Sequence, residues 1–151
     1  MFTKILYPTD FSDVSRKALE YVKKLGEAGV KEVVVAHVID GREIVSFGAG
    51  VSWLAKNVEK AEAELRKEME RKAQKELDTI ESELRKLGFN VRMRLESGSP
   101  FLETLRIEEE ENVSAVVIGS HGKSNVKEML LGSVSENFIR HCRRPVLVIK
   151  R

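Results

Sequence analysis

At 151 residues the chain has room for one domain with a sizeable core and is too short for two ordinary ones. Charged residues make up 33% of it, yet the formal net charge is only +2, which argues against the dominant basic surface of a nucleic-acid binder. A single cysteine, Cys142, excludes an internal disulfide framework and fits a reducing compartment, and no apolar run approaches the roughly 20 residues that cross a bilayer. Without the basic start and long apolar core of a signal peptide, the expected setting is the cytoplasm, with no membrane and no nucleic acid as partners.

In chain order, Lys4 to Tyr7 is a short apolar strand stopped by Pro8, which cannot donate to a ladder. Ser12 and Asp13 supply a cap and a first-turn acid for a helix with Ala18, Leu19, Val22 and Leu25 at helical spacing, ended by Gly26 and Gly29. Glu32 to Ile39 is apolar almost without a break, the mark of a strand buried on both faces of a parallel sheet. Asp40 to Ser52 carries Gly41, Gly48 and Gly50 and reads as a mobile loop. From Trp53 to Leu87 apolar residues recur about every 3.7 positions, which predicts one helix of roughly 50 Å. That exceeds the width of a domain of this size, so part of it should overhang or a kink should break it. Its Lys/Glu-rich face is a solvated one. Phe89 to Leu95 alternates like a half-exposed edge strand. Ser99 then caps, and Pro100 opens, a helix with Leu102, Leu105 and Ile107 on its apolar side. Acids at positions 108 to 111 oppose the helix dipole, which predicts a frayed last turn. Ala115 to Ile118 and Val146 to Ile149 are the remaining strands.

Strands alternating with helices imply a doubly wound α/β fold, a parallel sheet with right-handed crossovers and helices on both faces. The pattern alone leaves the strand order open. Its most unusual stretch follows the fourth strand, where Gly119 and Gly122 are two residues apart, Gly132 follows after nine more, and Ser133 comes next. Glycine permits positive φ and removes the side chain that would block a ligand, and successive free N–H groups form an anion-binding concavity. Ser133 is placed to cap the next helix with Glu136 completing a capping box, and such a helix start stabilises phosphate. The stretch is not a P-loop, because the position that needs glycine is Val117. Nor is it a dinucleotide fingerprint, since the first strand ends in Tyr7, Pro8, Thr9 and Asp10. Lys123 is either a solvated loop cation or a phosphate partner. His37, His121 and His141 have no metal-site spacing.

The glycine spacing, followed by serine, resembles the nucleotide-binding signature of the universal stress protein family. The likeness extends over residues 1–151 as one domain, through KILYPTDFS, HVID, GSP and RPVLVI. It implies a five-stranded parallel sheet in the order 3-2-1-4-5, similar to the adenine nucleotide alpha hydrolases, with a ligand at the switch point between strands 1 and 4. Carried over by residue, it implies Pro8, Thr9 and Asp10 in the cleft and Val38 against adenine, bonding through its backbone. Gly119 and Gly122 would let the loop pass ribose and phosphates, while Gly132, Ser133, Val134 and Ser135 would hold the phosphates. The ligand so implied is ATP, any Mg or Mn ion arriving on it and held mainly by phosphate oxygens, with Asp10 as a protein ligand. A homodimer through Val146 to Ile149 is implied as well. The function would be a nucleotide-dependent conformation, read by a protein partner in a stress response, with the loop near Gly48 and Gly50 and the frayed helix as reporters. Two competitors stand beside it. One is slow ATP hydrolysis or phosphoryl transfer using Asp10, Lys123 and His121, without a recognisable base. The other is a nucleotide-free dimeric scaffold.

Overall fold

The computed structural model describes residues 1–51, 57–122 and 131–151. The elements run β1 (Lys4–Pro8), α1 (Asp13–Leu25), β2 (Glu32–Asp40), α2 (Gly41–Val51), α3 (Val58–Lys86), β3 (Asn90–Gly98), α4 (Pro100–Glu110), β4 (Ala115–Gly119), α5 (Ser133–His141) and β5 (Val146–Ile149). All five strands pair in parallel in the order β3-β2-β1-β4-β5, the order the family resemblance implies.

The period of two along each strand divides the core between the faces of the sheet. Ile5, Tyr7, Val33 and Val35 point to the side covered by α1 and α3, where they meet Ala18, Val22, Leu77 and Leu84. Leu6, Val34, Ala36 and Val116 point to the other side and meet Ile107 of α4 and Phe138 of α5. Leu77, Leu84, Ile107 and Phe138 are fully buried, each contributing about 1.5–3 kcal/mol of transfer free energy.

Three sequence expectations need correction. Residues 41–51, read as a mobile loop, are helix α2. Asp40 Oδ1 accepts the Arg42 N–H at 3.0 Å, the bond of a capping carboxylate, and Ile44 and Gly48, four residues apart, face inward. A Cβ on Gly48 would fall on the Glu62 carboxylate of α3, so this glycine serves close helix packing rather than a turn. The long helix begins at Val58, because Asn57 leaves helical geometry (φ −146°, ψ 90°) and caps it by accepting the Lys60 N–H. The positions 53–56 of the predicted helix lie outside the described residues. Finally, α4 holds its form to Glu110, with no fraying. Its acids are neutralised mostly by cations from distant elements: Glu111 by Lys4 at 3.0 Å and Arg94 at 2.9 Å, Glu110 by Arg94 at 2.8 Å and by Arg106 of α4 itself at 2.6 Å, Glu108 by Arg144 at 3.4 Å. Burial pushes the Glu111 carboxyl up, but hydrogen bonds from Lys4 and Arg94 and the charges of Lys4 and Arg92 outweigh it and hold the group below the usual range.

Among the described residues no helix is long and apolar enough to cross a membrane.

Candidate functional site

The sheet opens where its winding reverses. β1 and β4 pair only at Ile5↔Ala115 and Leu6↔Val116, although β1 continues to Pro8 and β4 to Gly119. Beyond that pair the strands separate at their carboxyl ends, where open α/β sheets bind ligands. A cavity of about 390 Å³ occupies the crevice, within the range of small-ligand sites. Pro8, Thr9, Asp10, Val38, Gly119, Gly122, Gly132, Ser133, Val134 and Ser135 all line it. Residues far apart in the chain are thus brought to one wall-to-wall site; Lys123 lies outside the described residues.

The wall formed by β1 and α1 is closed by its own hydrogen bonds. Asp10 Oδ1 accepts the Ser12 N–H at 3.0 Å, and Ser12, the N-cap of α1, accepts the Ser15 N–H at 3.3 Å. Thr9 Oγ1 accepts the Phe11 N–H and donates to Ser15 Oγ, both at 3.1 Å. Ser15 Oγ donates in turn to the Ser12 carbonyl at 2.9 Å. The reversal requires φ 63° at Phe11, a left-handed conformation that is costly for a bulky residue. Its ring stacks on His37 at 4.4 Å. Tyr7 donates to the Ser15 carbonyl at 2.7 Å, and burial pushes its phenol up to about 12.

The β2 wall exposes backbone. Thr9 N–H donates to the Ala36 carbonyl at 2.8 Å, which would make Val38 N–H to the Thr9 carbonyl the next rung of a parallel ladder. That carbonyl is instead taken by His37, whose Nδ1–H donates to it at 2.7 Å. The peptide groups of Val38 point the same way as those of Ala36, past the last pairing Pro8↔Ala36 and into the crevice.

The wall formed by β4 and α5 is built differently. Ser120 N–H donates to the Ile149 carbonyl at 2.8 Å, and the Ser120 carbonyl accepts the Gly132 N–H at 2.7 Å, which sets the start of α5 beside the end of β4. Ser135 Oγ donates to the Gly119 carbonyl at 2.9 Å and ties the first turn down. The N-cap is Gly132, not Ser133, and among the described residues no side chain caps the helix. Ser133 is the first helical residue, and Glu136 turns to Arg140 at 2.8 Å rather than back to the cap, so the expected capping box does not form. A one-residue shift therefore replaces the expected self-capped start with a glycine-capped one whose first-turn residues line the cavity.

The glycines matter through space rather than through φ, since none of Gly119, Gly122 and Gly132 is among the positive-φ residues. A Cβ on Gly119 would lie 3.0 Å from Val14 and 3.3 Å from the Ser15 nitrogen, so α1 would have to give way for β4 to lie this close. A Cβ on Gly122 would lie 2.6 Å from Asp10 Oδ2, the atom over which the loop passes.

Other lining residues escaped the sequence reading, among them His37, Asp40, Arg42, Met69, Pro100 and Thr104. Asp40 carried a usable signal, an acid two places beyond Val38 on the same face of β2 and just past the strand's predicted end. Met69 carried none, because its α3 position looks like any core residue.

With this geometry in place, comparison with known proteins is decisive. The model of the Universal stress protein family matches residues 1–150. The chain belongs to the universal stress protein family. This universal stress protein is 44% identical over 156 aligned residues to Universal stress protein MJ0577 of Methanocaldococcus jannaschii, an alignment that covers 100% of this chain and 96% of that one. The solved MJ0577 structure superposes with a TM-score of 0.89 at 42% identity, covering 100% of this chain and 97% of that one. Two more distant family structures share the fold. One, in complex with cAMP, has a TM-score of 0.63 at 19% identity, covering 99% of this chain and 97% of that one. The other, from Arabidopsis thaliana with AMP bound, has a TM-score of 0.68 at 16% identity, covering 99% and 92%.

Proposed function

We propose that this universal stress protein binds ATP in the crevice between β1 and β4 and uses the nucleotide to set a conformation that a protein partner reads. The observation that carries the reading is the open start of α5. A helix end facing a cavity with no side-chain cap favours an anion, through unpaired N–H groups and the positive end of the dipole. The phosphates lie against Gly132, Ser133, Val134 and Ser135, with Gly119 and Gly122 clearing the approach. The base lies at the β2 side, where a peptide N–H and C=O of Val38 match the acceptor and donor edge of adenine. AMP and cAMP in distant relatives support the adenine class. Asp10, facing the loop across the crevice, is the carboxylate available to a Mg or Mn ion carried by the phosphates.

Pairing of β5 with its copy in a second chain completes the proposal. The strand is the outer edge of the sheet, and Leu147 is 43% exposed on it, an apolar edge of the kind that invites strand addition. The setting is the cytoplasm.

The test is direct. Protein purified without added nucleotide is denatured, and what it releases is identified by mass spectrometry. Calorimetry with ATP, ADP and AMP follows on the emptied protein. ATP released, or bound on addition, supports the proposal; no nucleotide by either route overturns it and leaves the dimeric scaffold.

A further inference from the structure

The base end of the cavity has an outer wall that the family signature does not contain. Sheet order puts it on the side of β1 away from the glycine loop, where β2 ends in Val38 and Asp40 and the chain turns into α2. Arg42, in the first turn of α2, lines the cavity together with Asp40. Its guanidinium is gripped by one carboxylate through two sides: Nε donates to Asp40 Oδ1 at 3.0 Å and Nη2 to Oδ2 at 2.6 Å. The same Oδ1 also accepts the Arg42 N–H at 3.0 Å, so the cap of α2 and the clamp on the side chain are one group. Asp40 is largely covered, at 16% exposure, while the Arg42 side chain is 76% exposed. The charge is therefore held in place without being buried.

A planar cation held by its edge in this way, exposed and at the cavity wall, is suited to lie over an aromatic ring. Stacking and cation–π attraction both favour guanidinium over ammonium there, and prior fixation removes most of the side-chain entropy cost. Phosphate contact is the usual alternative for an arginine near a nucleotide. Here it is disfavoured by position, because the open helix start that suits phosphate belongs to α5, across β1.

We infer that Arg42, held by Asp40, forms the outer face of the base slot and stacks on the purine. The inference rests on the proposed nucleotide site and adds a residue to it. It ties binding to α2, whose exposed Val45 and Phe47 stand on the same short helix.

The experiment separates base from phosphate. Affinities for adenosine and for ATP are measured by calorimetry on the full chain, wild type and Arg42→Ala, Arg42→Lys and Asp40→Asn. Arg42→Ala is expected to weaken adenosine and ATP by the same factor, roughly 3- to 10-fold, the size of a cation–π contact at a partly exposed site. Arg42→Lys is expected to recover little of the loss, because the plane is gone. Asp40→Asn, which still caps α2, is expected to show a smaller loss for both ligands. A loss confined to ATP would make Arg42 a phosphate contact and overturn the inference, as would unchanged affinity for both. Should the wild type bind neither adenosine nor ATP, the nucleotide reading itself fails and takes the inference with it.

Discussion

Two helices begin at the same crevice, and they begin in opposite ways. α1 is sealed: Ser12 accepts the Ser15 N–H, Asp10 accepts the Ser12 N–H, and Thr9 accepts the Phe11 N–H. α5 is left open, with a glycine where the capping side chain would be. α4 also lacks a side-chain cap, but it opens with Pro100, which has no N–H to offer. A glycine at the N-cap forgoes only roughly a few tenths of a kcal/mol against a capping side chain, so an open start costs the fold little. The difference is that α1 is held by its own side chains, whereas α5 begins at the cavity with a glycine at its N-cap, the arrangement the nucleotide proposal requires.

The largest test of that contrast is Gly132→Asp. The backbone at Gly132 (φ −74°, ψ 155°) suits any residue, and among the described residues a Cβ there would meet its nearest neighbour at 3.4 Å, so the substitution fits. The new carboxylate would cap α5 and place a negative charge where the phosphates belong. ATP affinity is expected to fall roughly 100-fold or more, as like-charge juxtaposition costs several kcal/mol. Thermal stability is expected to rise by about 0.5 kcal/mol from the cap and the dipole. Loss of binding together with loss of stability would mean that the open terminus is structural, and the contrast with α1 would lose its meaning.

Both termini need a firm frame, and part of it is the ion-pair cluster that anchors the far end of α4. Glu111→Gln is expected to cost about 1–3 kcal/mol in urea unfolding at pH 7, since Lys4, Arg92 and Arg94 each lose a charged acceptor. The folded pKa of Glu111 lies below its unfolded value of about 4.3, so the stabilisation is complete above that pH and is lost as pH falls through the depressed value. The gap between wild type and variant should therefore close on acidification below about pH 4. A gap that stays constant with pH would assign the loss to packing instead.

This cluster also marks the boundary of what could be read in advance. The alternation of strands and helices, the cap at Ser12, the start of α4 after Ser99, and the buried character of β2 are local, and the amino-acid pattern displays them. The acids at the end of α4 looked destabilising because only their neighbours along the chain were in view. Except for Arg106, four residues before Glu110 on α4, their cations come from β1, β3 and the approach to β5, and distance in sequence hides them. α2 was missed for a related reason. Gly48 signals a loop when read alone, and becomes helix packing once Glu62 of α3 lies against it. For the site, the glycine spacing pointed to residues that line the cavity, yet for a partly mistaken reason, because close approach and not positive φ is what those glycines supply. Arg42 and His37 reach the cavity through tertiary placement that no short motif encodes.

The sealed end is tested by Ser12→Ala, which removes the acceptor of the Ser15 N–H. The expected cost is about 1 kcal/mol of stability, read from chemical denaturation, with ATP affinity nearly unchanged. A large affinity loss at equal stability would show that α1 also serves the ligand, and would blur the distinction drawn above.

The smallest effect is the most discriminating. From sequence, Ser133 is the natural cap of α5, and removing a cap should cost about 1 kcal/mol. In the structure it is the first helical residue, with the cap at Gly132, and it lines the cavity. Ser133→Ala should then change stability by less than about 0.5 kcal/mol. If its hydroxyl meets a phosphate oxygen, ATP affinity should fall by roughly 2- to 10-fold, the worth of one hydrogen bond. The two readings thus move different observables: a capping serine would lower the unfolding midpoint and leave calorimetry alone, whereas a ligand-facing one would do the reverse. A lowered midpoint with unchanged affinity would restore the capping box and close the one helix end that the nucleotide proposal requires to be open.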